Sequence, residues 1–200
     1  MKVFHNKTRR AMTVVFGVLV VILFLFTQSA SLQGDGVRLV CYSLGLLLVV
    51  AAVLGRLWSG VYIEGRKNRE LIREGPYSVT RNPLYLFSFL GVFGLGLASC
   101  NVLVLALLVA GYAVYYPRLI QREEQKLEKK FGQTYAEYCK EVPRFWPSLR
   151  FISQPQWIEV PAHRLMRNMK EVVWFVIGFI VVQLIVHMHM KDILPAIQVM

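Results

Sequence analysis

The chain has 200 residues, 56% of them hydrophobic, and its mean hydropathy is +0.47, a balance that argues against an ordinary soluble domain. Its formal charge of +11 would suit a nucleic-acid binder, but the positions of the charges point elsewhere. Four basic residues (Lys2, Lys7, Arg9, Arg10) precede the first apolar stretch, six (Arg56, Arg66, Lys67, Arg69, Arg73, Arg81) follow the second, and eleven lie from Arg118 to Lys170. Only Arg38 and Lys191 remain for the opposite face, a 21-to-2 split that is the positive-inside pattern. The charge therefore reports membrane topology and attraction to anionic lipid headgroups, and no nucleic-acid partner is expected.

Four charge-poor stretches run along the chain: Ala11 to Gly34, Leu39 to Gly55 with an aromatic extension to Ile63, residues 82–117, and Val172 to Met190. The first is too long for a signal-peptide core and reads as an uncleaved anchor. It turns into the second around Gln33-Gly34-Asp35-Gly36. The third carries no charge over 36 residues, too long for one crossing of about 20 and tight for two. Its midpoint is Ser99-Cys100-Asn101, so two short helices are expected, returning both ends to one face. The result is a single all-α, multi-pass integral membrane domain over 1–200 with about five spans, its N-terminus cytoplasmic and its C-terminus on the other side.

Gly91, Gly94 and Gly96 lie inside an apolar helix and suit close helix packing rather than phosphate binding. Cys41, Cys100 and Cys139 have no metal-binding spacing, and no disulfide and no metal are expected. His187 and His189 diverge by roughly 200° on a helix and read as polar residues at a span end.

Beyond the hairpin a helix is expected from about Arg118 to Phe131, capped by Gly132, then a second from Gln133 to Glu141. Val142-Pro143-Arg144-Phe145-Trp146-Pro147 cannot be regular helix and suits a rigid loop at the membrane interface. Ile120, Leu127, Phe131 and Tyr135 form one apolar stripe, with Glu124 inside it and Glu123 about 60° to one side. Lys126 and Lys129 point elsewhere, toward water. A carboxylate on an apolar face needs a partner cation.

Two blocks at matching spacing then carry a resemblance. Leu71-Ile72-Arg73-Glu74-Gly75-Pro76-Tyr77 with Arg81-Asn82-Pro83-Leu84-Tyr85 is similar to the cofactor motif of the isoprenylcysteine carboxyl methyltransferases. So is Glu123-Glu124 followed by Leu127, Phe131-Gly132, Tyr135, Tyr138 and Val142-Pro143. The likeness covers about residues 60–150; the final span looks like an addition. It implies an integral-membrane methyltransferase using S-adenosylmethionine in a pocket on the cytoplasmic side, with a lipid-like methyl acceptor. Carried over position by position, it assigns cofactor contacts to Arg69, Glu70, Leu71, Ile72, Tyr77, Arg81, Asn82, Pro83, Leu84, Tyr85 and Glu123, with Glu124 beside them. Arg118 or Arg122 would orient the acceptor, and those two with Glu124 are the catalytic candidates. One departure is Asn82, where these enzymes usually have His; the related phospholipid N-methyltransferases carry Asn-Pro-x-Tyr there.

The chemistry of the residues is compatible. Carboxylates and tyrosine rings can stabilise a sulfonium cofactor's positive groups, and Arg69 or Arg81 can take its carboxylate bidentately. A carboxylate acceptor needs no general base; an amine acceptor would, and Glu123 or Glu124 could serve. Isoprenylcysteine-type O-methylation is the expected activity, with phospholipid N-methylation the alternative. A nicotinamide-dependent reductase of the sterol-reductase type and a non-catalytic membrane protein are the further readings.

Overall fold

The computed structural model describes residues 2–29, 32, 34–64, 66, 69–148 and 152–199, without the side chains of 2–10, Met12 and Val199. Gln33, Lys67 and Arg150, and the side chains of Lys2, His5, Lys7, Arg9 and Arg10, lie outside the described residues. Helix α1 (Lys2–Phe26) leads through a short strand β1 (Thr27–Ser29) into α2 (Asp35–Ile63). A single turn, α3 (Pro76–Val79), precedes the hairpin α4 (Pro83–Ala98) and α5 (Val102–Phe131). Then come α6 (Gln133–Glu141), α7 (Ala162–Met190) and a last strand β2 (Ile197–Val199). Helices α2, α5 and α7 are long and apolar enough to cross a membrane; Thr13–Phe26 and α4 are shorter apolar helices. This is the all-α, multi-pass membrane architecture that the hydropathy implies. The parallel pairing of Thr27–Ser29 with Ile197–Val199 is an addition that no alternating pattern announces.

Helices α2 and α4 form the closest pair, and glycine is the reason. A Cβ on Gly45 would stand 2.7 Å from the Gly94 carbonyl oxygen, and one on Gly94 would stand 2.8 Å from that of Gly45. In lipid, where apolar burial gives helices little reason to associate, such backbone contact is what holds them together. Gly91 and Gly96 serve the same purpose against Phe175 and Leu105, as the sequence suggests.

The hairpin turns at Ser99–Asn101, but its limbs are unequal. Helix α4 has 16 residues, about 24 Å, short of the roughly 30 Å of hydrocarbon. Its tip is satisfied internally instead. Asn101 is buried; its side-chain oxygen accepts from the Leu103 and Val104 amides, and its amide donates to the Thr27 carbonyl and Oγ1, both at 3.0 Å. The second limb corrects the sequence reading. No separate helix starts at Arg118, because α5 runs unbroken through Pro117 to Phe131. Proline is tolerated inside a membrane-crossing helix where neighbouring groups and local adjustment satisfy the freed carbonyl.

Helix α7 starts at Ala162, ten residues before the apolar stretch begins, and belongs to the bundle. Asn168 fills the space beside Gly60, and Gln183 donates to the Ala98 carbonyl at 3.3 Å. His189 is buried against the Leu25 carbonyl and the edge of Phe24, whereas His187 is exposed. We expect Gly94→Ala to cost about 1–3 kcal/mol by overpacking, lowering the melting temperature in detergent by several degrees. Gly17→Ala, whose Cβ meets nothing within 4 Å, should leave it unchanged, and equal effects would contradict the glycine seam.

Candidate functional site

The polar end of the bundle is assembled from the segment before α4 and the loop after α6. Gly75 adopts φ +57°, and a side chain there would run into the Tyr62 ring, so the turn into α3 requires glycine. The chain then lies beside residues 142–148 and Ser153 and is stitched to them. The Gly75 amide donates to the Ser153 carbonyl at 2.6 Å, Ser148 N–H to Val79 at 3.0 Å, and Arg81 N–H to Pro143 at 2.9 Å. Thr80 Oγ1 donates to the Arg144 carbonyl at 3.1 Å. The proline-rich loop is held in place by these hydrogen bonds to the segment from Gly75 to Arg81. Trp146 at its apex is exposed, as an interfacial anchor should be.

Glu124 joins the two sequence blocks. Its carboxylate meets Arg144 Nη2 at 2.7 Å, accepts from Asn82 Nδ2 at 3.1 Å, and lies 3.8 Å from Arg81 Nη1. The cation that an apolar-face carboxylate demands is therefore Arg144, with Arg81 behind it. Asn82 also donates to the Arg144 carbonyl at 3.2 Å, while its own carbonyl starts α4 by accepting from Tyr85 and Leu86.

Glu123, one position earlier, points into a cavity of about 310 Å³. Its walls are Ile63, Glu70, Leu71, Ile72, Tyr77, Arg81, Glu123, Lys126, Leu127 and Tyr138. Six residues expected at the cofactor thus share one space: Glu70, Leu71, Ile72, Tyr77, Arg81 and Glu123. Tyr85 reaches it indirectly, through a hydrogen bond between its hydroxyl and the Glu123 carboxylate. The Tyr77 hydroxyl is buried without a hydrogen-bond partner, as is Arg81 Nε. Burial, then the neighbouring Tyr138, raise the Tyr77 hydroxyl well above the usual tyrosine range, so it stays a neutral donor. The Tyr138 hydroxyl, its pKa raised mainly by burial, donates a hydrogen bond to the Tyr77 carbonyl at 2.6 Å and fixes that wall.

The remaining expected residues lie elsewhere. Pro83 is fully buried at the first position of α4, and Leu84 is half-buried beside it; neither lines the cavity. Arg69 lines a separate groove of about 680 Å³ with Arg66, Trp157 and residues 158–161. Arg118 and Arg122 are exposed on α5, Arg118 donating to the Val114 carbonyl of its own helix at 3.0 Å. Lys126 departs from the sequence reading, since it stands at the cavity rim rather than away from it. It is three residues from Glu123, hence on the same helix face, and that spacing was the available signal. Arg144 and Tyr138 were visible only as parts of a loop and a motif. Among the described residues, no three His, Cys, Asp or Glu side chains gather as a metal site.

These features define a class: a multi-pass helical membrane protein with a small polar cavity at one end of its bundle. The profile of the phospholipid methyltransferase family matches residues 36–134, which run from the start of α2 into α6 and include both halves of that cavity. The chain is 34% identical over 158 residues to the nickel-cobalt-cadmium resistance protein NccN of Alcaligenes xylosoxydans xylosoxydans, covering 79% of this chain and 74% of the relative. It is 36% identical over 165 residues to the cobalt-zinc-cadmium resistance protein CzcN of Cupriavidus metallidurans, covering 82% and 76%. No solved structure matches it. The chain belongs to the phospholipid methyltransferase family, a family of membrane methyltransferases.

The junction makes a prediction of its own. Glu124→Gln removes charge-assisted bonds at a carboxylate only 17% exposed, and should destabilise the protein by about 1.5–3 kcal/mol. Glu128→Gln, on the exposed face, should stay within about 0.5 kcal/mol by thermal unfolding, and equal losses would contradict the junction.

Proposed function

We propose that this protein is an S-adenosylmethionine-dependent methyltransferase whose cofactor occupies the 310 Å³ cavity and whose acceptor is a lipid-like carboxylate of isoprenylcysteine type. The carrying observation is the cavity's chemistry: its walls combine Glu70 and Glu123 with Tyr77 and Arg81, whose Oη and Nε are buried without hydrogen-bond partners. That donor and acceptor set suits a ligand bearing a cation, an amino group and a carboxylate together. When bound, S-adenosylmethionine supplies a methyl group for in-line transfer and leaves as a neutral thioether.

The protein's residues account for the rest. Glu123, held by Tyr85, and Glu70 face the positive groups; Arg81 Nε and the Tyr77 hydroxyl donate to oxygens. Tyr85 and Tyr116 meet edge-to-face at 5.7 Å, and Tyr112 stacks on Tyr116 at 3.9 Å, which braces the membrane side of the site. Alignment of the acceptor against a fixed methyl donor carries much of the rate enhancement in such displacements. Asn82 and the family profile favour a second reading, phospholipid N-methylation, with Glu123 as the base that takes the amine proton. Labelling membranes with the methyl-labelled cofactor separates the two. An ester methyl is released by mild base, and a base-stable product would overturn the carboxylate.

Glu123→Gln and Tyr85→Ala should each weaken S-adenosylmethionine binding about tenfold or more, the loss of one charge-assisted contact. Lys129→Gln, on the exposed face, should not. Wild-type affinity in all three would sink the site.

The distribution of basic residues supports an orientation with the cavity and N-terminus cytoplasmic and the C-terminus outside. Reporter fusions ending at Asn101 and at Met200 should both read outside. A cytoplasmic signal at Asn101 would remove the hairpin crossing.

A further inference from the structure

The end of the bundle away from the cavity holds a pair of thiols for which the proposed reaction has no use. Cys41 is buried on α2, and Cys100, far from it in sequence, is half-buried in the hairpin turn. Helix packing brings them together. A Cβ on Gly45, one turn after Cys41 on the same helix face, would stand 2.7 Å from Ala98 Cβ and 2.9 Å from the Ala98 amide nitrogen. The backbones of α2 and of the end of α4 therefore touch two residues before Cys100. Beyond that contact the Cys41 and Cys100 thiols share a hydrogen bond.

Cys100 is not an ordinary turn residue. Its backbone lies in the left-handed region, φ +48°, where glycine or asparagine is usual and other side chains are strained. It also lines a polar recess of about 30 Å³, room for about one water molecule, together with Gln28, Arg38, Asn101 and His189. The third cysteine, Cys139, stands at the other end of the bundle beside Arg81 Nη1. Arg38 and Met190 both line the recess, and the sequence puts Arg38 and Lys191 on the face opposite the cavity. In the orientation proposed above that face is outside, where disulfides form and persist, whereas the cytoplasm keeps thiols reduced.

We propose that Cys41 and Cys100 form a disulfide that staples the hairpin tip to α2 at the outer end of the bundle. The tip is joined to α1 by the hydrogen bonds from Asn101 to Thr27, and the disulfide adds a covalent link to α2. The oxidant is itself a disulfide, of a protein or a small molecule, on that side of the membrane. The Cys100 thiolate attacks one of its sulfurs and releases the first thiol. The Cys41 thiolate then attacks Cys100 Sγ in the mixed disulfide and releases the second. One S–S bond forms and one breaks, and two protons and two electrons pass to the acceptor's thiols. Cys100 reacts first because the recess reaches it, while Cys41 is buried. The inference rests on the proposed orientation and is independent of methyl transfer.

The test traps the thiols of the full-length protein by acid quenching of cells, followed by N-ethylmaleimide in denaturant and an intact mass. Wild-type protein should take one maleimide, on Cys139, without reduction and three after it. Cys41→Ser and Cys100→Ser should each take two in both conditions, and Cys139→Ser none before reduction and two after. Three maleimides on unreduced wild-type protein would overturn the proposal. A second measurement reads the geometry whatever the orientation. Reduced wild-type protein in detergent, incubated with oxidised glutathione, should lose the mass of two hydrogen atoms and melt several degrees higher, while the melting temperature of Cys100→Ser should not rise. A glutathione adduct that stays on Cys100, or an unchanged melting temperature in the wild type, would also overturn it. The reporter fusion at Asn101 distinguishes a wrong orientation from a wrong pair, and neither result bears on cofactor binding.

Discussion

Everything at the polar end of this bundle depends on one half-buried carboxylate. Glu124 sits on α5 where that helix leaves the apolar region, and two further chain segments converge on it, one through Arg144 and the other through Asn82 and Arg81. A charge so placed would be costly alone, and breaking a buried pair is worse than never having one. Its satisfaction therefore fixes the start of α4, the post-α6 loop and the exit of α5 relative to one another. The cavity is the space this arrangement leaves. Glu123 opens into it only because its neighbour is anchored the other way.

The two adjacent glutamates thus divide the work that one sequence motif appears to assign jointly. Glu124 holds architecture together, and Glu123 presents charge to the cavity. A similar division holds for the cations. Arg144 and Arg81 neutralise Glu124, Arg66 pairs with the cavity-lining Glu70 and with Glu74, and Arg56 sits inside α2 between Ser88 and Glu171.

Much of this was legible in the sequence because membranes impose simple rules. The 36-residue uncharged run read most economically as a hairpin, and Ser99-Cys100-Asn101 was its most turn-like triplet. The glycines of α4 read as packing residues, and the wheel correctly put Glu124 on the apolar face. What escaped had physical causes. A separate helix was expected from about Arg118, yet Pro117 just before it did not end α5. Arg144 as the ion-pair partner, and Arg69 in a different groove from Glu70, depend on how a loop folds back, which periodicity does not encode. Arg56 read as one more cytoplasmic charge, because counting charges by segment says nothing of depth along a helix.

The proposed activity is tested most directly by where S-adenosylmethionine binds. Ultraviolet crosslinking of the labelled cofactor to the purified protein, followed by peptide mapping, locates it. The account predicts label, displaced by excess unlabelled cofactor, in the peptides around Leu71 to Tyr77 and Glu123 to Leu127. Label confined to the groove of Arg66, Arg69 and Trp157, or no displaceable label, would contradict it.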